Sequence, residues 1–202
     1  MSALISTPSS IMQDFSFYFS LGWHHIISLS ALDHILFIIA LSAIYILEDW
    51  KQVLVLVTAF TIGHSITLAL SVFDIIRFRA DWVEFLISCT ILITAVSNLF
   101  LHSFSYKSIR LNYYLALFFG LVHGMGFANT IRFVLAQDQH IGSSLFAFNI
   151  GLEAGQIVVV LILLIIAFVF IQLLKVNRRE WVIFLSAAVI SLAVKMAFER
   201  IP

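Results

Sequence analysis

Residues 143–173 read SSLFAFNIGLEAGQIVVVLILLIIAFVFIQL, and this run decides the fold. Its only charged side chain is Glu153. A transmembrane helix needs about 20 mostly apolar residues to cross a hydrocarbon core about 30 Å thick. The run is longer than this requirement, so we expect a membrane-crossing helix that tilts or extends beyond the bilayer.

The composition of the whole chain is also that of a membrane protein. Of its 202 residues, 62% are hydrophobic and only 11% are charged, whereas soluble domains carry about 25% charged residues. We therefore treat residues 1–202 as a single membrane domain, with the lipid bilayer as a partner. Basic and acidic residues balance at 11 each, which gives no indication of a nucleic acid partner. Cys89 is the only cysteine, so no disulfide framework is possible.

Further apolar segments of similar length precede and follow this run. We predict an all-α polytopic membrane protein with six transmembrane helices, at 28–47, 53–72, 83–102, 112–130, 143–173 and 181–199. Residues 1–14 are predicted to be a polar tail. The aromatic-rich residues 15–27 are predicted to form a short interfacial helix before the first span.

The basic residues of the predicted loops indicate an orientation. The second and fourth loops hold Arg77, Arg79 and Arg132. The first, third and fifth loops hold twice as many, namely Lys51, Lys107, Arg110, Lys175, Arg178 and Arg179. Since loops rich in Lys and Arg stay in the cytoplasm, we expect both termini to lie outside.

Ionisable groups of the predicted spans fall in one half of the bilayer. A rise of 1.5 Å per residue places them toward the outer side, and the opposite half is nearly pure Leu, Ile, Val and Phe. A charge at the bilayer centre costs about 2.5–3.5 kcal/mol on insertion scales. These groups should therefore face the bundle interior and partner one another, water or a bound ion. They are His25, Asp33, His34, His64, Glu84, His123, Glu153 and Lys195.

The segment GLVHGMGFAN (120–129) surrounds a histidine with glycines. Gly120 and Gly124 are four residues apart, a spacing that lets two helices pack closely. Because His123 adjoins this seam, we expect it to reach a site shared with another helix.

The segment FNIGLEAGQ (148–156) repeats the pattern around a carboxylate. Gly151 and Gly155 form a second pair of small residues. Asn149, Glu153 and Gln156 lie at i, i+4 and i+7, which places them on one stripe of the helix. We expect this stripe to support the same site.

Histidine with aspartate and glutamate is a mixed nitrogen and oxygen ligand set. It suits Ni, Zn, Co, Fe or Cu(II), whereas the lack of paired cysteines argues against Cu(I) and thiolate zinc. The hypothesis is that His64, His123 and Glu153 share one divalent transition metal ion, whose identity these ligands do not specify. The alternative is a polar network that only orients the helices.

The roles of the Asp33–His34 pair and of Lys195 remain open from the sequence. Asp33 adjoins His34, and a carboxylate often fixes the tautomer of a metal-bound histidine, although adjacent helical residues project about 100° apart. Lys195 could neutralise Glu84, pair with Glu199 one turn away, or extend to the membrane interface.

Four segments, in this order and spacing, resemble the HupE/UreJ family of small membrane proteins associated with nickel supply to hydrogenase and urease. They are GWHHIISLSALDHILFIIAL (22–41), FTIGHSITLAL (60–70), FGLVHGMGFA (119–128) and FNIGLEAGQ (148–156). One departure is Ala31, where the family commonly has glycine two residues before the Asp-His pair.

The resemblance implies a permease for nickel or a related divalent metal, with nickel or zinc favoured. We expect it in a bacterial inner membrane, where the termini predicted outside would be periplasmic. The metal-handling residues that it implies are His25, Asp33, His34, His64, His123 and Glu153. A homo-oligomer is also possible.

Three functions remain open from the sequence. In a permease, Thr90, Thr94 and Asn98 would line a path through the apolar half of the membrane, unless they only bond their own helix backbone. In an intramembrane metallohydrolase, the metal would activate water, with Glu153 or Asp33 as the general base. A metal sensor or accessory subunit without turnover is the third.

Overall fold

A computed structural model describes residues 8–28, 31–101, 106–135 and 141–202. Within these ranges the chain is all-α and contains no β-strand. The helices are α1 (Pro8–Ile27), α2 (Leu32–Ser42), α3 (Trp50–Val72), α4 (Ala80–Leu99), α5 (Tyr106–Leu135), α6 (Ile141–Phe168) and α7 (Arg178–Glu199). A short 3₁₀ turn, Leu47–Asp49, leads into α3, and a π-helical turn, Val169–Leu173, extends α6.

Four helical segments of the described chain are long and apolar enough to cross a membrane. They are Leu47–Val72, Ala80–Leu99, Ile141–Leu173 and Arg178–Glu199. The corresponding predicted spans differ from α3, α4, the extended α6 and α7 by no more than three residues at either end. The prediction of an all-helical membrane protein is therefore confirmed.

The first predicted span, 28–47, is not a continuous helix. Helix α1 ends at Ile27, and the segments Met12–Ile27 and Leu32–Ser42 are bent by 67° relative to each other. The 11 residues of α2 rise about 16 Å, roughly half of the hydrocarbon core. Helix α2 is therefore too short to cross the membrane alone. Together with α1, as one bent pair, it would form a fifth crossing.

The break places Asp33 in the first turn of α2, where the helix dipole stabilises a carboxylate. This position at a helix N-terminus accounts for the difference from the prediction, because in a continuous helix the carboxylate of Asp33 would lose that stabilisation. Helix α1 contains the predicted helix 15–27 and ends at the same residue, but it begins at Pro8, within the predicted tail. Residues 1–7 of the predicted tail lie outside the described residues.

The fourth predicted span, 112–130, lies within α5, which is not among the candidate crossings. Its central turns carry Gly120, His123, Gly124 and Gly126 in place of large apolar residues. The described chain thus has four candidate crossings, or five with the bent pair, where the sequence predicted six.

Two helix pairs approach so closely that their backbones touch. A Cβ atom at Gly63 of α3 would collide with the backbone of Leu117 in α5, and one at Gly120 would collide with Phe60. In the second pair, a Cβ atom at Gly151 of α6 would collide with the backbone of Phe19 in α1. Small residues permit this contact between membrane helices, and it fixes the positions of the histidines on α1, α3 and α5.

The two ends of α7 anchor opposite parts of the bundle. At its start, Arg178 lies 3.3 Å from a carboxylate oxygen of Asp49 and donates to the carbonyl of Ile44, next to the first residues of α3. At its end, Arg200 reaches the N-terminal parts of α2 and α4 through Asp33 and Glu84. The candidate site lies at this second end.

Candidate metal centre

Four helices each contribute one histidine to a common cluster. His34 of α2 is central: its ring centroid lies 4.6 Å from that of His25 in α1 and 5.3 Å from that of His123 in α5. His64 of α3 lies 6.0 Å from His34 by the same measure. His25 and His123 thereby share one site, although they are 98 positions apart in the sequence.

Hydrogen bonds fix the tautomer of two of these rings. Nδ1 of His34 lies 3.0 Å from Oδ1 of Asp33, and Nδ1 of His123 lies 2.9 Å from the carbonyl oxygen of Phe119. Since an ionised carboxylate and a carbonyl only accept, each Nδ1 must carry the hydrogen. In the neutral rings the lone pair is then on Nε2, the arrangement found in metal-binding histidines.

Five other imidazole nitrogens of the cluster are buried and have no hydrogen-bond partner among the described residues. This is true of Nε2 in His25, His34 and His123, and of both nitrogens in His64. Each buried polar atom left unpaired costs about 1–3 kcal/mol, and such atoms are few in native proteins. In this protein they are concentrated around one point, in the histidine cluster.

A cavity of about 250 Å³ opens beside the cluster. Its polar lining comes from His25, Asp33, His34, Glu84, His123 and Arg200. His64 does not line this cavity and is fully buried behind it.

Aromatic side chains separate the cluster from the rest of the bundle. The rings of Phe37 and Phe60 each lie 5.1 Å from that of His123, and the ring of Phe127 lies 4.0 Å from that of His25. This apolar surround lowers the local dielectric and strengthens the interaction of the imidazoles with any cation.

Arg200 is a member of the site that the sequence reasoning did not include. Its Nη1 lies 3.5 Å from Oδ2 of Asp33, and its Nε lies 3.8 Å from Oε2 of Glu84. Asp33 therefore faces His34 with one oxygen and Arg200 with the other. The available sequence signal for this role was the position of Arg200, a basic residue directly after the last apolar span.

Glu153 lies away from this cavity in the structure. Its Oε1 accepts a hydrogen bond of 2.7 Å from Thr58, and Oε1 of Gln156 accepts one of 2.9 Å from Thr61. The predicted stripe on α6 thus joins α6 to α3. Asn149 of the same stripe donates to the carbonyl of Leu145 one turn earlier.

The ion hypothesised from the sequence, shared by His64, His123 and Glu153, does not correspond to this arrangement. His64 and His123 both adjoin His34, whereas Glu153 is engaged by Thr58. Within the described residues, no three His, Cys, Asp or Glu side chains stand in positions that would ligate one ion without movement.

The three alternatives for Lys195 are also resolved by the geometry. Its Nζ lies 3.7 Å from Glu199, and both side chains are largely exposed. Glu84 is instead approached by Arg200.

Comparison with known proteins agrees with the resemblance that the four motifs carried. The family model described as HupE / UreJ protein matches residues 2–200. Neither the curated proteins nor the solved structures gave a match. Since the matched region covers nearly the whole chain, the protein belongs to the HupE/UreJ family.

Proposed function

We propose that this protein transports a divalent transition metal, with nickel favoured, and that the four-histidine cluster with Asp33 is its binding site. The observation that carries the proposal is the set of buried imidazole nitrogens without partners. The family is associated with nickel and cobalt accessory or transport functions, which supports the same class of substrate.

The spacing of the rings is compatible with a shared ion after small movements. An imidazole bound through one nitrogen has its ring centre roughly 3 Å from the metal, given a bond of about 2.0–2.1 Å. Rings sharing an ion then have centres within about 6 Å of each other. His25, His123 and His64 lie 4.6, 5.3 and 6.0 Å from His34, and His25 lies 6.3 Å from His64, so these pairs are within or close to this limit and the rings must turn to share an ion.

Asp33 would supply the negative charge that the neutral rings lack. Its carboxylate holds His34 by Nδ1 and lines the cavity. A carboxylate behind a metal-bound histidine raises the basicity of the ring and fixes its direction. In this proposal Asp33 offsets part of the charge of the dication and keeps the Nε2 atom of His34 pointed at it.

Release on the other side would require a change of conformation. The candidate inner path on α4 is engaged: Thr90 and Thr94 donate to backbone carbonyls of their own helix, and Asn98 donates to the carbonyl of Ala40. Phe37 and Phe119 pack behind His123. The arrangement supports a state open at one face and closed toward the other.

The proposal includes six crossings, with the bent α1–α2 pair and α5 completing the four apolar spans. It places the protein in a bacterial inner membrane with both termini in the periplasm, following the excess of basic residues in the odd-numbered loops.

A second candidate is an intramembrane metallohydrolase. It is favoured because Thr90, Thr94 and Asn98 on the candidate path are already hydrogen-bonded to backbone carbonyls, and a metal held by the cluster could activate water in place of crossing the membrane. Asp33 lines the cavity and remains available as its base, whereas Glu153 does not line it.

Elemental analysis of the purified full chain and a flux assay in proteoliposomes test the proposal. Wild type should hold about one nickel ion and accumulate it in vesicles, because the cluster offers one set of converging nitrogens. His123→Ala should lose the ion, since it removes a lone pair fixed toward the cavity. Glu153→Gln is the matched control, and it should keep the metal.

The outcomes separate the candidates. Wild type without bound metal under saturating nickel would refute the binding site. Stoichiometric binding without any flux would exclude transport and favour the hydrolase or a metal sensor without turnover.

A further inference from the structure

Two cavities meet at the end of the bundle formed by α4 and α7, and they share two residues. The inner one holds the histidines. The outer one, about 370 Å³, is lined by Asp81, Glu84, Glu199, Arg200, Ile201 and Pro202. Glu84 and Arg200 line both, so this pair lies at the boundary between them.

The outer cavity is acidic, and Arg200 is the basic residue that lines it. Asp81 and Glu199 have their own basic neighbours, Arg79 at 3.1 Å and Lys195 at 3.7 Å. Those two basic side chains are 73% and 70% exposed, whereas that of Arg200 is only 26% exposed. Arg200 is therefore a half-buried cation held at the boundary.

The contacts of Arg200 are loose for a buried guanidinium. Paired arginine and carboxylate groups normally make two parallel hydrogen bonds of about 2.7–2.9 Å. Here the distances to Asp33 and Glu84 are 3.5 and 3.8 Å, and Nη1 makes no hydrogen bond to any described residue. Charge holds this side chain in place more than directed bonds do, so another cation can replace it.

The backbone around Arg200 also permits movement. It follows the last residue of α7, and Ile201 and Pro202 are exposed and non-helical. Its own backbone N–H bonds the carbonyl of Met196 at the C-terminus of α7, so release of the side chain loosens only this last turn of the helix.

We propose that Arg200 is a displaceable counter-cation that closes the histidine cavity, and that an incoming divalent metal replaces it against Asp33 and Glu84. This inference rests on the proposed metal site. The metal would enter through the acidic outer cavity, and its positive charge would repel the guanidinium from the two carboxylates. Arg200 would then return when the site empties.

The competing role for Arg200 is structural, as a clamp that orients Asp33 toward His34. The two roles predict opposite signs. A displaced cation competes with the metal, so its removal strengthens metal binding. A clamp prepares the site, so its removal weakens metal binding.

Isothermal titration of the detergent-purified full chain with nickel chloride distinguishes them. Arg200→Gln should lower the dissociation constant on the order of tenfold, within the usual range of coupling between two ligands. Arg200→Lys keeps the charge and should stay close to wild type. Arg79→Gln is the control, because it removes the same charge from an exposed position where solvent and salt screen it.

A second measurement uses wild type alone, so it stands even if the variants do not fold. Nickel should increase hydrogen–deuterium exchange in the peptide covering residues 196–202, because displacement of Arg200 frees the end of α7. The displacement would be overturned if Arg200→Gln bound nickel no more tightly than wild type. Decreased exchange on nickel binding would also overturn it. Absence of nickel binding to wild type would instead overturn the metal site itself.

Discussion

His34 bonds the carboxylate of Asp33 twice, through Nδ1 at 3.0 Å and through its backbone N–H at 2.9 Å. Adjacent residues on a helix normally project about 100° apart, so this contact depends on where in the helix the two residues lie. Asp33 lies in the first turn of α2, where backbone N–H groups have no helical partner and a side-chain oxygen can turn back to them. The break between α1 and α2 is therefore what turns an Asp-His dipeptide into an oriented ligand pair.

The first prediction concerns the charge of this pair. Asp33→Asn keeps an oxygen that can accept from His34 but removes the negative charge beside the metal. The nickel dissociation constant should rise about 10- to 100-fold, the usual effect of altering such a carboxylate, as measured by isothermal titration. Asp74→Asn is the control, because this loop residue lies at a positive φ that Asn tolerates. Equal affinities for wild type and Asp33→Asn would show that the charge plays no part.

The second prediction concerns the fully buried His64, whose two nitrogens have no partners among the described residues. His64→Leu replaces them with apolar surface of similar volume, which is near neutral or stabilising in the metal-free protein. The metal-free Tm should stay level or rise, while the increase in Tm on adding nickel should shrink. In wild type that increase reflects about 2.7 kcal/mol at a nickel concentration 100 times the dissociation constant.

Thermal melts with and without nickel measure both quantities for His64→Leu. His24→Leu provides the control, since His24 is exposed and bonds Ser20 on its own helix. A large drop in the metal-free Tm together with an undiminished nickel effect would identify His64 as a structural residue.

The third prediction concerns the contact between α3 and α5. Gly63→Ala puts a methyl group into the backbone of Leu117, and the helices must separate to admit it. We expect a loss of stability of about 1–3 kcal/mol, typical of overpacking, and weaker nickel binding because His64 moves with α3. Gly142→Ala is the matched control, since a Cβ atom there meets no other atom within 4 Å. Equal melting temperatures for the two variants would contradict the close approach.

Helical rise is fixed per residue, so the sequence predicted similar levels for His25, His34, His64 and His123. The structure brings these four rings together. The direction of each group around its helix could not be predicted in the same way. Glu153 occupies the stripe on α6 that was read correctly, but that stripe meets Thr58 of α3 instead of the cavity.

Arg200 shows the same limit of prediction from the sequence, because it belongs to the site and was not predicted there. Its position after the last span was evident, yet nothing local indicates that the end of α7 meets the N-terminal parts of α2 and α4. The break in the first predicted span was also hidden, since hydropathy averaged over residues 28–47 does not register a change of direction.

The amino-acid sequence by itself determined that this chain is helical and membrane-embedded, where most of its helices begin and end, and which family it belongs to. These properties depend on local composition and on motif order. Only the tertiary structure decided that Asp33 and Arg200, not Glu153, accompany the histidines. The physical reason is that packing between helices sets which faces meet, and packing is a property of distant backbones such as those of Gly63 and Leu117.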